Sequence, residues 1–269
     1  MHFIGKILEI LNAEMETPTI FGWFHILFFA LSIAAGFWLC SKFKYADEKT
    51  TRKILLITSV MAIGLEVYKQ INYTFVYDGT QINTDFLWYA FPFQFCSTPM
   101  YVGLAAALIK HKKIYDALCA YLATFSLFAG LCVMCYPAQV FIPTIGINIQ
   151  TMICHGVMIT IGIYLLGTGY VKSEHKTILK AIPVFTIFVV IASIMNEIAY
   201  LSGLLETDNF NMFYISPHCD PSLPVYSLVQ AVVPYPWCLF IYVLCFSAAS
   251  YIILLVTMLV KHIVKKNTK

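Results

Sequence analysis

The chain has 269 residues, 60% of them hydrophobic and 12% charged, with a formal net charge of +3. So apolar a composition excludes an ordinary soluble domain and puts the chain in the integral-membrane class. The positive balance comes from short loop clusters of lysine, which excludes a basic nucleic-acid-binding face.

Residues 3–12 are apolar but too short to span a bilayer. Acidic Glu9, Glu14 and Glu16 follow with no small-residue cleavage site, so an interfacial amphipathic turn is expected here and not a signal peptide. Apolar windows of spanning length then recur at about 20–40, 53–72, 86–109, 115–135, 148–169, 179–201 and 235–260. The expected fold is all-α, one integral membrane domain over residues 1–269 built as a polytopic bundle of seven transmembrane helices. The third window is the least regular: Phe86–Phe91 can lie at the interface, with the helix proper starting at Pro92.

Basic residues set the expected orientation. Lys42, Lys44, Lys49, Arg52 and Lys53 fill the first loop, Lys110, Lys112 and Lys113 the third, and Lys172, Lys176 and Lys180 the fifth. Lys261, Lys265, Lys266 and Lys269 end the chain, while the second, fourth and sixth loops hold no Lys or Arg. By the positive-inside rule the N-terminus is outside and the C-terminus cytoplasmic, in a multi-pass protein of the cell membrane.

Ionisable groups inside a bilayer are costly, so each is a candidate functional group. In chain order these are His25, Glu66 with Lys69, Gln94 with Cys96, Gln150 with His155, and Asn196 with Glu197. They come from five helices, yet the orientation assigns every one to the outer half, where the loop 202–234 adds Asp208, Asn209, Asn211, His218 and Asp220. Structural pairs scattered independently would not share one depth, and a polar cavity open to the outside accounts for the coincidence. Glu66 and Lys69, three apart, can simply pair on one helix face.

The run from Phe91 to Pro99, FPFQFCSTP, brackets Cys96 with prolines. Pro99 has no N–H to give the Phe95 carbonyl, so one backbone acceptor is left free beside the thiol. If Pro92 takes the first helical turn, Cys96 lies near the positive end of the helix, which favours thiolate. A thiol beside a base is a nucleophile, and His155 is the candidate base, with Gln150, Asn196 or Glu197 as candidates to orient its ring. Lys69 or amides near Pro92 are candidate oxyanion donors. That set suits acyl transfer through a thioester. The rival use, a zinc site from Cys96, His25, His155 and His218 or Cys219, lacks any ligand pair at i, i+3 or i, i+4 on one helix, so no metal and no cofactor is expected. The remaining cysteines, Cys132 and Cys135 of one lone CxxC included, read as small apolar fillers. A transporter or lipid-binding protein with the same cavity is the alternative, but no paired broken segments recur in corresponding halves. Nothing beyond helix count points to a receptor.

Three blocks, Gly64–Lys69 (GLEVYK), the Pro-x-x-x-Cys run ending at Cys96, and Cys154–Met158 (CHGVM) followed by Ile163–Leu166, resemble signatures of the YwaF-like integral membrane proteins. That family is similar to the eukaryotic transmembrane protein 164 acyltransferases. Asn211–Tyr214 (NMFY) resembles a degraded form of its Asn-Tyr-Met-Phe block, and His25 falls where bacterial members have a first-helix histidine. The resemblance implies a thiol-dependent acyltransferase acting on membrane phospholipids, with Cys96 at the nucleophile position and His155 at the fifth-helix histidine. Gln94 and Ser97 depart from its pattern, which has histidine two before the cysteine in bacterial members or directly after it in eukaryotic ones. The sequence assigns no oligomeric state.

Overall fold

The computed structural model describes residues 2–137, 140–203, 210–219 and 223–267, so Asp208, Asn209 and Asp220 lie outside the described residues. Among these residues, six helical runs are long and apolar enough to cross a membrane. They are α2 (Trp23–Lys42), α3 (Glu48–Asn72), the run of α5 (Lys112–Tyr121) into α6 (Leu127–Cys135), α7 (Ile145–Gly167), α8 (His175–Leu201) and α10 (Tyr235–Asn267). A short N-terminal helix, α1 (His2–Leu11), covers the segment expected at the interface, and α9 (Pro224–Gln230) precedes α10. Leu122–Ser126 forms a π-helical turn between α5 and α6.

The third window departs from the expected long helix. Residues 86–97 hold only a short 3-10 turn, Trp88–Ala90, and the helix itself, α4 (Thr98–Leu108), has 11 residues. It starts at Thr98, with Pro99 in its first turn, and not at Pro92. Proline in the first turn costs the helix nothing, and Phe91, extended before Pro92, ends the 3-10 turn there. The Phe95 carbonyl left over by Pro99 is taken by the Thr98 hydroxyl at 2.8 Å, and Tyr121 in turn donates its hydroxyl to Thr98 at 2.6 Å. At its other end α4 stops against Arg52 of α3, whose guanidinium donates to the Ala106 and Ile109 carbonyls, each at 2.7 Å, and stacks on Tyr115. One fixed cation thus satisfies the orphan carbonyls of a half-length helix.

A second departure from an all-helical expectation is a hairpin, β1 (Phe75–Tyr77) paired antiparallel with β2 (Ile82–Thr84). Its turn is organised by Asp78, which accepts from the Thr80 and Gln81 amides and the Thr80 and Asn83 side chains. Those bonds hold its carboxyl well below the usual carboxylate range. α1 docks beside the hairpin: Tyr68 and Asn72 of α3 both donate to the Leu11 carbonyl. α1 and the hairpin thus mark one end of the bundle, the hairpin end.

The α5–α6 run and α7 form the buried centre of the bundle, while α2, α3, α8 and α10 leave one apolar face outside. Close approach is made by small residues, as in membrane bundles generally. A Cβ on Gly156 of α7 would lie 2.2 Å from Ser32 Oγ of α2, and one on Gly130 of α6 would lie 3.0 Å from the His155 carbonyl. The turn of α7 that carries His155 is thereby clamped on two sides.

Candidate functional site

A cavity of about 230 Å³ runs between α3, α4, α7 and the π-helical turn. That is far above the roughly 10–15 Å³ one water needs. Its rim at the hairpin end is made by Tyr73, Tyr89 and Tyr214, and its middle by Glu66, Lys69, Cys96, Gln150, Cys154 and His155. Cys96 stands two residues before α4, with Ser97 as the N-cap, so the thiol lies just outside a helix N-terminus, on the backbone run that the prolines keep open.

His155 is 6% exposed, and its Nδ1 lies 2.7 Å from the Thr151 carbonyl one turn back. A carbonyl only accepts, so Nδ1 carries the proton and Nε2 keeps its lone pair. That Nε2 is buried with no hydrogen-bond partner among the described residues. The ring is therefore oriented by its own helix backbone, and the expected orienting groups Gln150, Asn196 and Glu197 do other things. Gln150 faces Cys154, with Nε2 at 3.5 Å from its sulphur.

Glu66 and Lys69 pair at 2.7 Å, three apart on α3 and both largely buried. Gln70 Nε2 bridges Glu66 to the Ala90 carbonyl, at 2.8 Å each, so the same cluster pins the irregular run before α4. Lys69 and Glu66 line the same cavity as the Cys96 and Cys154 thiols.

Five of the expected site residues stand apart from this centre or face it in a structural role. His25 is outside the cavity: its Nδ1 accepts from the Phe21 amide at 2.9 Å and its Nε2 donates to the Met134 carbonyl at 2.7 Å, which leaves no free lone pair for a base. Glu197 is half-exposed and pairs with His218 at 3.1 Å. Asn196 places both amide atoms on Met212, donating to its carbonyl at 3.1 Å and accepting its N–H at 2.8 Å. Asn211 accepts the Ser216 amide on Oδ1. Gln94 lines the cavity, yet both ends of its amide bond the same segment, the nitrogen giving to the Asn211 carbonyl and the oxygen taking the Phe213 amide, both at 3.0 Å. Tyr242 adds a hydroxyl bond to the Phe213 carbonyl at 3.0 Å.

These bonds hold a strap, residues 210–216, across the hairpin end. Phe213 and Tyr214 sit at φ of 59° and 57°, a left-handed conformation that costs bulky residues on the order of 1–3 kcal/mol each. Fixed hydrogen bonds from α8, α10 and the run before α4 over-determine it, and it delivers Tyr214 to the rim. Sequence reasoning missed Tyr214, Cys154 and Thr98. Cys154 was legible as a second thiol one turn after Gln150; Tyr214 was not, because its position depends on strap geometry. Among the described residues, no three His, Cys, Asp or Glu side chains gather as metal ligands would.

Beside the cavity, an apolar groove of about 420 Å³ opens between α3 and α4, and Glu66 and Met100 line both. No curated protein and no solved structure matches the chain. The model of the TMEM164 family matches residues 20–255, which take in the first five long helical runs whole and α10 as far as Leu255, together with Cys96 and His155. By that match the chain belongs to the TMEM164 family.

Proposed function

We propose that this protein is an acyltransferase of the cell membrane that moves a fatty acyl chain between phospholipid and lysophospholipid or another lipid hydroxyl. The observation that carries the reading is the buried, unpartnered Nε2 lone pair of His155, a residue lining the same cavity as Cys96. A structural histidine would have both nitrogens bonded, as His25 has.

In this mechanism His155 Nε2 takes the Cys96 proton, and the thiolate attacks the ester carbonyl of a phospholipid. The ester C–O bond breaks, the leaving alkoxide takes the proton from His155, and the acyl group stays on Cys96 as a thioester. An acceptor hydroxyl then gives its proton to His155 and attacks the thioester; the C–S bond breaks and the proton returns to sulphur. Lys69 and the amides at the start of α4 supply positive potential for the two oxyanions. The groove between α3 and α4 offers a lipid a lateral path to the cavity. In a trapping experiment, phospholipid with an alkyne-tagged acyl chain is expected to label the native protein through a hydroxylamine-sensitive bond. Label should persist in Cys154→Ser and vanish in Cys96→Ser; label that survives Cys96→Ser overturns the mechanism.

The same reading gives seven crossings with the hairpin end outside. From Ala90, bonded to Gln70, to Ile109, bonded to Arg52, the chain runs back along about 27 Å of α3, close to one hydrocarbon thickness. The irregular run plus α4 then make the third crossing, with polar backbone covered by protein. In a cysteine-free background, a thiol introduced at Thr80 is expected to react with an impermeant reagent from outside, and one at Lys112 is not. Reversed labelling would turn the bundle over.

A further inference from the structure

Beyond its polar middle, the cavity continues away from the hairpin end as a second arm. Ala62 and Met100 stand at its entrance and Leu122, Leu55 and Ile161 farther in. From Glu66 to Leu55 is about 16 Å along α3, and from His155 to Ile161 about 9 Å along α7. The hydroxyl of Thr58, which also lines this arm, is turned back onto the Ile54 and Leu55 carbonyls. At the far end the lining is buried. Leu55 is 1% exposed and Ile161 4%. A Cβ on Gly103 would lie 2.3 Å from Ser59 Oγ, so α3 and α4 meet directly there.

A polar reacting centre continued on one side by a buried arm, apolar apart from the Ser59 and Ser126 hydroxyls and the inward-bonded Thr58, has the shape of a site for a molecule with one reactive end and one long apolar tail. We infer that this arm holds the acyl chain in transfer, with its carbonyl between Cys96 and His155 and its methyl end toward Leu55 and Ile161, so that the floor sets the longest chain accepted. The inference rests on the acyltransferase reading for the identity of the tail. The buried floor distinguishes the arm from the open groove between α3 and α4, which can pass a lipid but cannot measure one. Filling the entrance should therefore discriminate against long chains, and lowering the floor should admit longer ones.

The test uses the full-length protein in phospholipid vesicles and two photoreactive phospholipids, one with a diazirine at the methyl end of its acyl chain and one with it beside the ester. The methyl-end probe is expected to crosslink to the peptides of Leu55, Gly103 or Ile161, and the ester-end probe to those of Cys96 or His155. Ala62→Phe, which occupies the entrance, should cut the methyl-end crosslink at least tenfold. Leu55→Ala should shift the acyl products of a mixed-length phospholipid pool toward longer chains, read as a ratio within each sample so that lower protein yield does not enter. Methyl-end crosslinks confined to outward residues such as Val60 and Val67, or an unchanged length ratio in Leu55→Ala, overturn the inference. The two readings fail separately. Thioester on Cys96 without crosslinks in the arm removes the acyl arm and keeps the chemistry, whereas arm crosslinks without thioester keep a lipid-tail site and remove the chemistry.

Discussion

Cys96→Ser is expected to lower acyl transfer from phospholipid to lysophospholipid by at least about a thousandfold, roughly 4 kcal/mol of transition-state stabilisation. Serine keeps the size and the hydrogen-bonding capacity of the site, so detergent-extracted yield should match the native protein. What is lost is the low-energy anion: a hydroxyl at its ordinary acidity is a far weaker nucleophile than a thiol. His155→Ala should cost nearly as much, because the buried imidazole that brings a free lone pair to the cavity goes with it. The informative variant is the double one. Residues that act as one unit are strongly non-additive, so Cys96→Ser with His155→Ala is expected to be little slower than either alone. Transfer rates that multiply across the two substitutions would mean that the thiol and the imidazole serve separate steps, and full activity in Cys96→Ser would put a transporter or lipid-binding role in front.

Glu66→Ala should produce a different defect, loss of the protein before loss of chemistry. Its carboxylate holds Lys69 at 2.7 Å and, through Gln70, the Ala90 carbonyl at the mouth of the irregular run. Removing one member of a buried ion pair strands the other and costs on the order of 3–5 kcal/mol. That is a large part of the net stability of a typical domain. Removing both members restores neutrality, so Glu66→Leu with Lys69→Met is expected to regain most of the thermal stability that Glu66→Ala loses. If Lys69 also stabilises the oxyanion, the double variant will be folded but slow. Thermal unfolding in detergent together with transfer rate separates these outcomes. A double variant no more stable than Glu66→Ala would show that the pair is held by its hydrogen bonds and not by charge balance.

Much of this architecture is written locally in the chain. Hydropathy alone outlines the six long helices within a few residues, because burial of backbone polar groups in a bilayer leaves helix as the only choice for an open chain. The prolines at 92 and 99 likewise announce an irregular run around Cys96, since ring closure removes the donors a helix would need. The i, i+3 spacing of Glu66 and Lys69 is also a local fact, and so is the step of four from Thr151 to His155 that fixes the imidazole tautomer.

Depth is local, but rotation is not. All the polar groups were assigned to one leaflet, yet only those whose helix faces turn inward share the cavity. His25 and His155 lie on neighbouring helices, and the sequence does not distinguish them. Packing does: His25 has both nitrogens bonded, to the Phe21 amide and the Met134 carbonyl, while Gly156 and Gly130 set the turn of α7 that leaves His155 with one nitrogen free. Gln94, Asn196 and Asn211 looked like chemistry and are fasteners for the strap at 210–216. The composition of the chain therefore determined that it is a membrane bundle and roughly where each helix runs. Which histidine keeps a free nitrogen in the cavity, and which amides are spent on the strap, was decided by contacts more than a hundred residues apart in sequence, which only the folded packing brings together.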